Sequence, residues 1–310
     1  GSIDAYITTT YLNKKLKTTV KTQKEGGFID WNNEFLIPCQ LPIMSSRIVM
    51  KLFDEDKISD EIVGSLLFNL KECIGKKKGT YFWKNIYGAP LNYSGDNANK
   101  MNETPEVASC WKGRILMGVD AEKTEKPQLL MQDIAEEEVA KAQKYAEEKE
   151  YEFIAEVGQG IALPWEEKFQ IQIQIAEYEF NTPKATVQEK NYNRWNHRFE
   201  QQTMKLPYLD EYDIGRVYIY IMSGDKQICF YQAEVEDFLD PNPEMIWLQM
   251  KCDLAVGKVT EAHKAGVISL KLSIHNKSKN GPIDFSKFEA WKKPPPKRLN
   301  VFKVRCYLFQ

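Results

Sequence analysis

Five carboxylates crowd one short stretch: Asp54, Glu55, Asp56, Asp60 and Glu61 follow directly on the run from Ile48 to Phe53. Like charges at that density repel one another unless a cation lies between them. Side-chain oxygens on a loop, with no cysteine or histidine among them, suit a hard ion of adaptable geometry, which points to calcium. The same residues also read as a solvated acidic turn, and the stretch by itself leaves both readings open. A second row of charged groups stands earlier, in K-K-L-K-T-T-V-K. Strand geometry places Lys15, Lys17, Thr19 and Lys21 on one face, with Leu16, Thr18 and Val20 on the other. Ammonium groups in a row form a surface for phosphates or lipid headgroups, and they equally solubilise a sheet and guard its edge.

Catalytic patterns do not emerge. No phosphate loop, G-x-S-x-G or metal-spaced Cys/His set occurs. The three histidines, His197, His263 and His275, are scattered, and His197 between Trp195 and Phe199 reads as a packing residue. The chain therefore reads as a binding protein with no catalysis and no small-molecule substrate. A formal net charge of −2 excludes a generally basic nucleic-acid binder. Cysteines at 39, 73, 110, 229, 252 and 306 form no C-x-x-C pair and sit mostly beside apolar strand residues. They read as reduced, core-packing thiols of a cytoplasmic chain. No apolar run approaches the roughly 18 residues of a membrane span, and Gly1-Ser2 reads as a cloning scar, not a signal peptide.

These groups have to be positioned by strands. Ile48, Met50 and Leu52 alternate with Val49 and Lys51, the period of a half-buried strand leading into the acidic stretch. Strands are also expected at 5–12 and 111–119, with Trp31 and Phe35 as core anchors. From Met131 to Glu150 the composition turns to Ala, Glu, Lys and Gln without Gly or Pro, which favours a connecting helix. Alternation then returns, most purely in F-Q-I-Q-I-Q-I, where Phe169, Ile171, Ile173 and Ile175 point inward and Gln170, Gln172 and Gln174 outward. The run K-K-P-P-P-K-R from 292 to 298 reads as a polyproline linker before a last strand, Val301 to Gln310.

The first part of this arrangement resembles a C2 domain, an eight-stranded membrane-docking module. Asp4-Ala5-Tyr6 matches the family's D-P-Y, and Lys14 to Lys24 its basic strand. Asp30-Trp31-Asn32-Asn33-Glu34-Phe35 matches its N-P-x-W/F element, Asp54-Glu55-Asp56 its D-x-D, and Ile62-Val63-Gly64 its closing I-G. A narrower resemblance is carried by W-K-N-I-Y-G-A-P-L-N-Y-S-G, W-K-G-R-I-L-M-G-V, Y-E-F-I-A-E-V and V-Y-I-Y-I-M-S-G-D-K. These are similar to the third C2 domain of ferlins and the segment after it. Ferlins are tandem-C2 proteins of calcium-triggered vesicle fusion and membrane repair.

The resemblance implies an all-β fold: two C2-like antiparallel β-sandwiches joined by a helical connector, with an extra terminal strand. It divides the chain into a C2 domain at 1–120, a connector at 121–150, a second sandwich at 151–276, and a linker with the first strand of a further domain at 277–310. It implies Ca2+ in the first domain only, held by Asp4, Asp54 and Asp56 with Asp60 or Glu61 in the last ligand position. Lys15, Lys17 and Lys21 would bind an anionic phospholipid membrane, and the fusion machinery would supply protein partners. The implied setting is cytoplasmic, peripheral on a vesicle or plasma membrane. Ala5 replaces the family's proline, the third loop is one residue short, and the earlier loop-one aspartate would precede residue 1. In the second sandwich the corresponding loop, Met222 to Lys226, holds a single carboxylate followed by a lysine, so it is expected to be free of metal.

Overall fold

The computed structural model describes residues 3–40, 42–43, 45–56, 59–70, 80–91, 93–256 and 265–295. The terminal strand expected at Val301–Gln310 lies outside the described residues. In chain order the first unit comprises β1 (Asp4–Tyr11), β2 (Lys14–Lys17), β3 (Lys21–Thr22), β4 (Asn33–Leu36), β5 (Arg47–Asp54), β6 (Glu61–Asn69), β7 (Tyr81–Gly88), helix α1 (Asp96–Glu103), β8 (Cys110–Gly118) and β9 (Leu130–Asp133). Seven of the strands make one antiparallel sheet, ordered β2-β1-β5-β6-β7-β8 with β3 also on β1, while β4 and β9 pair as a separate ribbon. Alternation puts Ile48, Met50 and Leu52 of β5 into the core beside Ile7 and Tyr11 of β1 and Leu66 and Phe68 of β6. Trp31, Ile37 and Ile43, from the chain around β4, close over that face.

The connector departs from expectation. Leu130–Asp133 is a strand, and helix α2 is confined to Glu136–Gln143, followed by a 3-10 turn at Lys144–Ala146. The helix buries none of its residues. Met131 instead takes a place in the ladder opposite Phe35, so strand pairing overrides helix propensity. The connector is anchored on β7, where Tyr81 Oη donates to Glu138 Oε2 at 3.0 Å and Trp83 Nε1 donates to the Tyr145 carbonyl at 2.8 Å.

The second unit is a fuller sandwich. It runs β10 (Lys149–Ile161), β11 (Gln170–Ile175), β12 (Tyr178–Asn181), β13 (Val187–Glu189), β14 (Tyr192–Arg198), β15 (Gln202–Leu206), β16 (Arg216–Ser223), β17 (Lys226–Glu234), β18 (Ile246–Gln249), β19 (Lys251–Cys252) and β20 (Val267–Asn276). One sheet is ordered β13-β14-β10-β20-β18 with β15 on β10, and the other β12-β11-β16-β17-β19. Phe169, Ile171, Ile173 and Ile175 all lie in the core between them.

Residues 277–293, expected as linker, fold back on this sandwich as α3 (Lys277–Asn280), a 3-10 turn at Phe285–Lys287 and α4 (Glu289–Lys292). The cause is apolar: Phe285 and Trp291 bury themselves against Ile154, each worth about 2–3 kcal/mol of transfer. Beneath them the fully buried Glu156 is paired with Arg198 at 2.6 Å and with Lys271.

The two units meet along a polar, tyrosine-rich joint. The Asn85 side chain donates to the carbonyls of Asp213 (3.0 Å) and Ile214 (3.1 Å), and accepts from Tyr208 Oη (2.5 Å) and Trp111 Nε1 (3.0 Å). The Arg216 backbone N–H donates to Tyr87 Oη at 3.1 Å. Gly215 sits between them at φ +73°, and a Cβ there would fall 2.5 Å from Tyr87 Oη and 2.9 Å from Asn85 Nδ2, so both backbone and space call for glycine. Arg114 clamps Glu177 through two bonds of 2.6 and 2.7 Å. Ser109 Oγ (2.7 Å) and Gln227 Nε2 (2.6 Å) both donate to Asp253 Oδ2. Burial raises the Asp253 pKa, against the opposing pull of its hydrogen bonds to Ser109, the Ala255 amide and Gln227.

Candidate functional site

Strand register gathers the acidic residues at one end of the first sheet. Asp4 opens β1 opposite Thr22, Ala5 lies opposite Asp54, and Asp54 lies opposite Glu61. Hydrogen bonds hold this end together. The Asp4 N–H donates to Asp54 Oδ1 at 3.0 Å, Thr22 Oγ1 donates to Asp4 Oδ1 at 2.6 Å, and the Glu55 N–H donates to the Asp4 carbonyl at 2.7 Å. Tyr6 Oη donates to Asp60 Oδ2 at 2.5 Å. Burial, reinforced by the Asp60 bond and charge and by the Glu55 charge, pushes the Tyr6 hydroxyl up to about 12. Asp56 and Glu61 are exposed, and residues 57 and 58 lie outside the described residues.

The basic row is split. Lys15 pairs with Thr10 and Lys17 with Thr8, whereas Lys21 pairs with Ala5. From Lys17 to Lys21 the chain takes four steps while its partner strand takes three. One residue is therefore absorbed between β2 and β3, and the alternation flips. Residues directly opposite share a face, so Lys15 and Lys17 stand with Thr8 and Thr10. Lys21 stands with the core-facing Ala5, at the exposed margin of the sheet. The single lysine face expected from strict alternation is corrected accordingly.

On the Lys15/Lys17 face the register adds residues that the sequence pattern does not single out. Tyr6 lies opposite Phe53, and Lys51 lies opposite Thr8. The Tyr6 and Phe53 rings stack at 4.9 Å with 3° between planes. Lys17 Nζ stands 3.5 Å from the Tyr6 centroid and Lys15 Nζ 5.9 Å from the Phe53 centroid. Lys17 also pairs with Glu55 at 3.1 Å, and Lys51 with Glu103 at 3.4 Å. Two exposed lysines over a stacked aromatic floor make a cationic surface backed by apolar groups. The signal for them is the odd-numbered set of β5, since Lys51 and Phe53 alternate away from the core with Val49.

Residues 1–86 match the family model of the C2 domain. The chain carries a C2 domain. Among solved structures, the chain is similar to the calcium-bound pair of C2 domains, A and B, of Extended-Synaptotagmin 2, at 13% identity and TM-score 0.30 over 88% of this chain and 86% of that one. It is similar to the first, A-type C2 domain of plant Extended Synaptotagmin 1 at 11% identity and TM-score 0.29, over 40% and 94% of the two chains. Human GIVD cytosolic phospholipase A2 is similar at 14% identity and TM-score 0.24, over 87% and 28%. Likenesses this loose carry no argument about activity. No curated protein matches the chain.

C2 domains commonly bind calcium, so the fit of the acidic end of this one is a direct question. Three of its carboxylates are engaged by protein donors: Asp4 by Thr22, Asp54 by the Asp4 amide, and Asp60 by Tyr6. Among the described residues no three His, Cys, Asp or Glu side chains converge as a metal-ligand set. Each of the three bonds engages one oxygen and leaves the other free, so the described carboxylates keep the donor chemistry for calcium without being drawn together as a cage. In the second unit, Ser223 Oγ donates to both oxygens of Glu167 at 2.9 and 2.8 Å, and Asp225 stands exposed in the turn after it. Among the described residues no helix is long and apolar enough to cross a membrane.

Proposed function

We propose that the chain is a non-catalytic, ferlin-like membrane-docking module that meets anionic phospholipid with the Lys15/Lys17 face of its C2 domain. The observation that carries this reading is the pair of exposed ammonium groups held over the Tyr6–Phe53 stack. Each lysine brought to an anionic leaflet adds about 1 kcal/mol of attraction. Salt screens it, since the Debye length is about 10 Å at 0.1 M. Lys51 stands beside them, while Lys21, on the opposite side of the sheet, contributes less.

Calcium is a separate matter. Asp4, Asp54, Asp56, Asp60 and Glu61 share one end of the sheet and keep oxygens with which to take calcium, which would assist the docking, while the lysine contacts themselves do not require the ion. That Thr22, Tyr6 and the Asp4 amide already hold three of them in place favours a second reading, a calcium-independent scaffold for protein partners of the fusion machinery. Sedimentation of the full chain with phosphatidylcholine vesicles, with and without phosphatidylserine, separates these. Binding is expected only with phosphatidylserine. It should fall about fivefold for each of Lys15→Ala and Lys17→Ala and change little for Lys21→Ala. A chain that ignores phosphatidylserine, or whose Lys15→Ala/Lys17→Ala variant binds like the parent, sinks the membrane reading and leaves the scaffold. Repeating the assay with calcium or chelator, on parent and on Asp54→Asn/Asp56→Asn, tests the ion alone.

A further inference from the structure

The cysteines that read as inert packing groups include one pair whose placement has a chemical consequence. Cys229 of β17 and Cys252 of β19 are direct cross-strand partners, and both are reduced. The ladder fixes which kind of partners they are. The Asp253 N–H donates to the Ile228 carbonyl at 3.0 Å, which makes Ile228 and Asp253 a hydrogen-bonded pair. The adjacent pair, Cys229 and Cys252, is then of the non-hydrogen-bonded kind. Such pairs bring their Cα atoms to about 4.5 Å and their side chains closest together. Disulfides span Cα separations of roughly 4.4–6.8 Å, so this pair can be bridged without moving either strand.

We infer that Cys229 and Cys252 can be oxidised by peroxide to a reversible cross-strand disulfide that pins the second unit's sheet where it grips the first unit. Cys252 is partly exposed and Cys229 is buried, so Cys252 meets the oxidant first. Its thiolate attacks one oxygen of hydrogen peroxide and the O–O bond breaks, giving a sulfenic acid and, after protonation, water. The Cys229 thiolate then attacks the Cys252 sulfur, the S–O bond breaks and a second water leaves. Two thiols and one peroxide become a disulfide and two waters, with two electrons passing from sulfur to oxygen. Burial raises the pKa of both thiols, so the bridge forms slowly at neutral pH and faster as pH rises.

The bridge's neighbours give it its effect. Cys252 adjoins Asp253, which holds Ser109 of the first unit. Cys229 adjoins Phe230, which packs with Tyr87 of the first unit and with Tyr218 and Tyr220. Pinning β17 to β19 therefore stiffens the residues that carry the joint. The test treats the full native chain with hydrogen peroxide, blocks remaining thiols with an alkylating agent, and maps the peptides without reduction. One linked pair containing Cys229 and Cys252 is expected, absent in Cys252→Ser, retained in Cys39→Ser and reversed by dithiothreitol. The oxidised chain should melt several degrees higher than the reduced chain, and the Ser109 and Asp253 amides should exchange more slowly. If Cys39 is consumed while Cys229 and Cys252 both remain alkylatable, or if Cys252 ends as a sulfinic acid with no link, the inference fails. The mapping is read on the parent chain, so a poorly folding variant does not block it.

Discussion

Two sheet faces of this molecule look alike as strings of residues and have opposite fates. In β2, Lys15 and Lys17 alternate with Leu16. In β11, Gln170, Gln172 and Gln174 alternate with Ile171, Ile173 and Ile175. Both polar rows point away from the core of their own unit, as period-two alternation requires. The lysines stand exposed over Tyr6 and Phe53. Gln172 and Gln174 are only 8% and 6% exposed, and Gln174 accepts a 2.7 Å bond from Tyr220 Oη inside the joint. Alternation thus reports which side faces a strand's own core. What covers the other side depends on a neighbouring unit that a single strand's sequence does not contain. The residue types carry part of the answer, since a neutral amide can be buried with its bonds satisfied whereas an ammonium strongly resists it.

The largest effect should come from exchanging those types across the two faces. Gln174→Lys puts an ammonium beside Tyr220 and Cys110, where the one carboxylate opposite it is the exposed Glu179. An unpaired buried charge costs about 3–5 kcal/mol, and Glu179 offsets part of that, so urea unfolding should show a loss of about 2–4 kcal/mol. Gln170→Lys, on the same row but half-exposed and bonded to the Thr182 carbonyl, should cost less than about 1.5 kcal/mol. Equal losses at the two positions would mean that the joint does not bury Gln174 in solution.

A smaller effect separates the two faces by pH. Asp253 lies at the joint with its pKa raised by burial. A carboxyl with a raised folded pKa contributes stability that is complete below the ordinary aspartate range. That contribution is lost as pH rises through the raised value, because the folded state holds the proton longer than the unfolded chain does. Other carboxylates tilt the whole curve, so the informative quantity is the difference between parent and Asp253→Asn. As pH rises from about 4, the ordinary aspartate range, the parent should lose stability relative to the variant. Parallel curves would place Asp253 in water.

Much of this architecture is legible in the sequence. Ile48, Met50 and Leu52 announce β5, and the Gln/Ile alternation announces β11. Three features are not legible, each for a physical reason. Lys21 changes face because one residue is absorbed between β2 and β3, which no local pattern encodes. Met131 joins a strand because Phe35, some hundred positions earlier, offers it a partner. Residues 283–291 leave the expected linker because Phe285 and Trp291 have a surface on Ile154 to cover. The candidate site is readable as charge but not as geometry. Its carboxylates stand out in the sequence, yet their engagement by Thr22, Tyr6 and a backbone amide is a matter of register.

The smallest effect belongs to the exposed face, and it sharpens the comparison because stability and binding should part company there. Lys17 makes a 3.1 Å pair with Glu55, with both side chains about two-fifths exposed at 42% and 41%, and its ammonium lies over the Tyr6 ring. Exposed pairs are worth about 0.2–1 kcal/mol, and an exposed cation–π contact about 0.5–1 kcal/mol. Water and salt compete for the same ammonium, so these do not add in full. Lys17→Gln should therefore cost no more than about 1 kcal/mol in urea unfolding, several times less than Gln174→Lys costs. The same substitution removes one cation from the docking face, so vesicle sedimentation should weaken about fivefold, and less so at high salt. A variant that loses vesicle binding only as it unfolds would show Lys17 holding the sheet edge together. A variant that stays folded and loses binding shows the ammonium facing the membrane.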